Sequence, residues 1–148
     1  MPTLSPKQIE SPVTQPSALR RLAAHPVVAT IVGVFSGGVV IALVEWCGHQ
    51  LVGPVSLNKP QLIPASMFAF VLLAWVLGSA VAGAVATAWG GARSIWPGVI
   101  AGVVLLATAG LNIAAFPHPL WAVAGAVVLM PTAAWWASRG VATRSAPK

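Results

Sequence analysis

Four long apolar runs organise the chain, separated by short stretches rich in proline, glycine and charge. They cover about residues 27–47, 65–89, 96–116 and 120–137, and Glu45 is the only charged residue inside any of them. At 1.5 Å per residue, about 20 helical residues cross a hydrocarbon core of ~30 Å. Hydrocarbon offers no water to bond the backbone, so each run must satisfy its own N–H and C=O groups as a helix. The pattern predicts an all-α polytopic membrane protein, a four-helix transmembrane bundle with antiparallel neighbours.

Breakers punctuate the runs where the pattern changes. Pro26 suits the first turn of span one, and Pro97 that of span three, because proline's missing N–H is harmless there. Pro54, Pro60 and Pro64 interrupt the 48–63 connection, which is too apolar for a plain solvent loop and should lie on the membrane surface or over the bundle end. The Gly90–Ile95 and Pro117-His118-Pro119 segments read as tight turns. Pro131 removes one helical hydrogen bond and should kink span four.

Small residues mark the faces expected to pack. Gly33 and Gly37 form a GxxxG followed by Gly38, and Gly98 and Gly102 form a second. Ser79 and Gly83 share a face with Trp75, Ala82 and Ala86 in span two. Glycine and serine let neighbouring backbones approach closely, which is how membrane helices gain packing contact. In span three Gly98, Ala101, Leu105, Thr108 and Asn112 fall on one face, and in span four Ala122, Ala126, Leu129 and Ala133 do.

Outside the spans, residues 1–24 have proline, serine and glutamine without apolar periodicity and read as a disordered cytoplasmic tail. The transmembrane domain then occupies 25–138, and 139–148 is a basic cytoplasmic tail that frays from Ser138. Across the 148 residues, 57% are hydrophobic, 7% are charged and the mean hydropathy is +0.86. Soluble domains carry about 25% charge, so water is not the solvent for most of this chain.

The net charge of +6 orients the spans. Lys7, Arg20, Arg21, Arg93, Arg139, Arg144 and Lys148 fall on one side of a four-span topology, and Lys59 alone on the other. The positive-inside rule places both termini in the cytoplasm of a cell with a bacterial-type inner membrane. Six of the seven tryptophans fall at span ends, as an interfacial belt requires, and Trp75 is the exception. The cations form no basic face with interleaved aromatics, which argues against nucleic acid. The expected partners are the lipid bilayer and, through the small-residue faces, a second copy or another membrane protein.

Candidate chemistry gathers at one end. Glu45 and His49 are one helical turn apart on the same face. The topology brings Asn112 and His118 to the same level, so Glu45, His49, Asn112 and His118 meet if helix one packs beside the last hairpin. Three readings follow. A polar clasp has Glu45 accept from a histidine or Asn112, which sets helix register in a structural or accessory protein. A proton- or cation-coupled transporter uses Glu45 and His49, since an ionisable residue within a span is a functional candidate by default. A transition-metal site uses Glu45, His49 and His118, although zinc wants three or four ligands with a supporting shell.

Catalysis finds little support. The chain has no aspartate, HExxH, P-loop or dinucleotide turn, so no enzyme and no cofactor is expected. Ser36 lies on the opposite side of its helix from Glu45. Cys47 is the lone cysteine and reads as a small apolar filler.

The order of features resembles a group of small bacterial four-helix integral membrane proteins that have no established activity. The resemblance is carried by Val44-Glu45 closing span one, by Leu73-Ala-Trp-Val-Leu-Gly-Ser-Ala80 with Ala82-Gly83, and by Pro117-His-Pro-Leu-Trp121 opening span four. It covers about residues 27–137 and implies the same bundle, with the polar outer end as its meaningful surface. The first outer loop is shorter here than in that group.

Overall fold

A computed structural model describes residues 25–53 and 63–145. They form four helices: α1 (Pro26–Val52), α2 (Ala65–Trp89), α3 (Trp96–Ala115) and α4 (Leu120–Arg144). All four have the length and apolarity to cross a membrane. The calls on residues 1–24, on Pro54, Lys59 and Pro60, and on Lys148 lie outside the described residues.

Helix ends follow local chemistry more than hydropathy. α1 runs past residue 47 to Val52, because no breaker intervenes until Gly53. Gly53 takes φ +90°, and its N–H donates to the His49 carbonyl at 3.0 Å. That left-handed stop suits a residue without a Cβ. α3 ends at Ala115, since Phe116 must turn extended (φ −141°, ψ 132°) ahead of Pro117. α4 continues to Arg144, beyond the fraying expected from Ser138, and Pro131 lies inside an unbroken helix. The turn from α2 to α3 is tight. Gly91 and Ala92 both take positive φ, and Ala92 N–H closes onto the Thr87 carbonyl at 2.9 Å.

The helices pack as a lozenge. α2 touches all three others, and α3 also touches α1 and α4, whereas α1 and α4 sit on opposite sides of that central pair. The core is small-residue throughout: Ala74, Ala82, Ala86, Ala101, Ala109, Ala122, Ala126 and Ala134, with Trp75, Leu105 and Met130 as its larger members. Large apolar side chains such as Ile31, Phe35, Leu43, Leu111 and Leu120 point outward, as a lipid-facing surface allows. Trp46, Trp89, Trp96, Trp121, Trp135 and Trp136 are exposed, and Trp75 is 3% exposed in the core.

Close helix contact occurs where glycine stands. Gly33 lies against Ala82 and Ala86, and Gly37 against Gly78, at the α1–α2 crossing. Gly83 packs on the Ala134 backbone, Gly102 on Ala134, and Gly98 beneath Ser138, Gly83 and Thr87. Gly38 departs from the expected packing set: a Cβ there would meet nothing within 4 Å. It lies one residue, about 100°, around the helix from Gly37 and misses the crossing. On α4 the buried positions are Ala122, Ala126, Met130, Ala134 and Ser138. This replaces the expected Leu129 and Ala133, because the contact row keeps a spacing of four residues. Ser138 adds a bond across helices, donating from Oγ to the Gly83 carbonyl at 3.1 Å and sharing with Ala134 at 2.7 Å. Ser79 is fully buried and its hydroxyl has no partner among the described residues.

Candidate functional site

The alternation of helix directions puts the ends of α1 and α3 and the starts of α2 and α4 at one end of the bundle. Glu45, His49, Asn112 and His118 come together there, around a cavity of about 290 Å³. Ile63, Met67, Phe68, Val71 and Phe116 complete its wall. A second cavity of about 180 Å³ shares Glu45 and Asn112 and adds Ile41, Trp75, Leu105, Thr108 and Ala109. Glu45 and Asn112 thus stand between two hollows. Arg93, Arg139 and Arg144 all lie at the opposite end of the bundle.

Each group reaches this place for a local reason. Glu45 is carried by α1 and half-buried, facing α2 and α3. One turn on, Gly48 lets Phe70 of α2 lie flat on α1, which brings the two helices together just outside Glu45. Asn112 sits in the last turn of α3, and its own carbonyl accepts the Phe116 N–H at 3.0 Å. His118 is the middle of Pro117-His118-Pro119, which folds it back over the start of α2.

The four side chains share a space without bonding one another. His49 sets Nδ1 against the Glu45 backbone carbonyl at 2.8 Å, not against its carboxylate. His118 sets Nδ1 against the Phe116 carbonyl at 2.7 Å. Its ring is held edge-on by Phe68 at 5.4 Å and Phe116 at 5.9 Å, and tilted on Trp75 at 5.6 Å. The Glu45 side chain instead shares the wall of the second hollow with Trp75 of α2. The direct clasp from Glu45 to a histidine or Asn112 is therefore absent among the described residues.

The metal reading is corrected in the same way. Among the described residues no group of three His, Cys, Asp or Glu side chains is placed to hold a metal ion, so Glu45, His49 and His118 do not form one. Each imidazole already spends one ring nitrogen on a backbone carbonyl, and His118 is fixed by three aromatic rings. Asn112 is exposed by area, yet it opens into both hollows. Ser36 donates to the Val32 carbonyl at 2.8 Å and takes no part.

Sequence reasoning missed the aromatic half of this site. Phe68 and Trp75 come from α2, and nothing in the spacing of α1 or α3 points to them. The one available signal was Trp75, the tryptophan that falls away from the span ends. Searches of family profiles, curated proteins and solved structures find no match to this chain.

Proposed function

We propose that this is a non-enzymatic multi-pass membrane protein that takes up a proton or small cation at its outer-end chamber, with Glu45 as the charge-bearing group. The observation that carries the reading is that Glu45 stands between two hollows and that no arginine or lysine is among their described lining residues. An acid inside a span is costly, and such residues mark functional sites by default. His49 and His118 tune the field around it, and Asn112 offers a neutral donor and acceptor across the chamber. Both termini face the cytoplasm in this reading, because Arg93, Arg139 and Arg144 share the end away from the chamber. The chamber then opens to the extracytoplasmic side.

A structural or accessory role is the second reading. It is favoured by the backbone bonds of His49 and His118 and by the aromatic seat of His118, all of which stiffen this end of the bundle. Infrared difference spectra of reconstituted protein separate the two. The Glu45 carboxyl band should respond to outside pH or to added cation, and Glu45→Gln should lose it. A carboxyl blind to both, with Glu45→Gln costing only fold stability, leaves the structural role.

A further inference from the structure

We infer that the chamber is shaped for a monovalent organic cation with an apolar body, its cationic nitrogen at Glu45. This rests on the reading of the chamber as a cation site and narrows its ligand class. Three features of the recess favour a larger occupant than a proton or a bare ion. A proton needs no space, yet the main cavity holds about 290 Å³, which is near the lower end of small-molecule sites. A bare metal ion needs several ligands, and no group of three His, Cys, Asp or Glu is placed to supply them among the described residues. A polyvalent amine needs several acids, and Glu45 is the chain's only acid beyond Glu10 in the N-terminal stretch.

What remains is one carboxylate, with His49, Asn112 and His118 beside it, in a wall otherwise made by Ile63, Met67, Phe68, Val71 and Phe116. An ammonium bound by a carboxylate keeps its Coulomb partner after it leaves water. Aromatic faces attract the same charge, and a methylated nitrogen most readily. The apolar body gains from burial against Met67 and Val71. The second hollow, bounded by Trp75, Leu105 and Ala109, lies across Glu45 and gives a longer body somewhere to extend.

The test uses the full chain, purified in a maltoside detergent and titrated by calorimetry. The probes are benzyltrimethylammonium, tetramethylammonium, the neutral analogue neopentylbenzene, sodium and zinc. Benzyltrimethylammonium should bind at least tenfold more tightly than either the small cation or the neutral body, and neither metal should displace it. Glu45→Gln should lose tenfold or more, and Phe68→Ala and Asn112→Ala less. Displacement of the probe by phosphatidylethanolamine would name a lipid headgroup as the source, and no displacement would name a soluble cation. Equal binding of the neutral analogue, or displacement by zinc, would overturn the inference, and the probe series on the native chain gives that answer even if Glu45→Gln does not fold. Absence of organic-cation binding, together with a Glu45 infrared band that still answers pH, would remove this ligand class and leave the proton reading standing.

Discussion

Gly37 of α1 and Gly78 of α2 meet backbone to backbone. A Cβ built on Gly37 would lie 2.5 Å from the Gly78 carbonyl oxygen, and one on Gly78 would lie 2.8 Å from that of Gly37. This reciprocal contact sets the separation of the two helices midway along the bundle. It also sets how far Glu45, two turns further along α1, stands from Trp75 of α2.

Gly37→Ala should therefore push α1 away from α2. The new methyl would also crowd Leu105 and Ala82, at 2.8 and 2.9 Å. Overpacking of this kind costs about 1–3 kcal/mol. Gly38→Ala is the internal control, because it meets no atom within 4 Å. It should be neutral or stabilising, by up to about 1 kcal/mol from helix propensity alone. Reversible unfolding in mixed micelles measures both, and equal losses would mean that the crossing is not where the glycines indicate.

Two buried serines should respond oppositely to the same truncation. Ser138 bonds the Gly83 carbonyl across helices, so Ser138→Ala should cost about 0.5–1.5 kcal/mol. The Ser79 hydroxyl is buried without a partner among the described residues. Removing a polar group that bonds nothing relieves its desolvation, so Ser79→Ala should be neutral or stabilising. A clear loss in Ser79→Ala would reveal a bond, direct or through water, that this packing lacks.

Sidedness is testable by labelling in a Cys47→Ser background. Ser94→Cys sits in the turn beside Arg93 and Pro117→Cys in the turn beside His118, and both positions are exposed. An impermeant maleimide should reach Pro117→Cys on intact cells and Ser94→Cys only after the membrane is opened. The reverse pattern would invert the orientation. Labelling of both from one side would break the alternation of four spans.

Much of this architecture is legible along the chain, because lipid makes the problem local. A segment that must satisfy its own backbone is helical wherever it is long and apolar, so α2 is readable to its ends at Ala65 and Trp89. Prolines and glycines mark the turns for equally local reasons, and the alternation of four spans then sends Glu45, Asn112 and His118 to one end. The limits of α1 and α4 are less legible, since Gly53 and the α4 residues up to Arg144 act through helix chemistry and not hydropathy.

Packing belongs to a different order of information. Whether Gly37 or Gly38 touches a neighbour depends on about 100° of rotation about one helix axis, and that rotation is settled by the partner's surface. The same holds at the Glu45 end of the bundle. Glu45 and the histidines are visible as a group in the chain, yet they line a recess without bonding one another, because His49 and His118 each bond a backbone carbonyl and the His118 ring is seated on Phe68 and Trp75 from α2. Solvent chooses the helices one segment at a time, while contact between helices requires two surfaces to fit at once, and that mutual fit is not written in either segment alone.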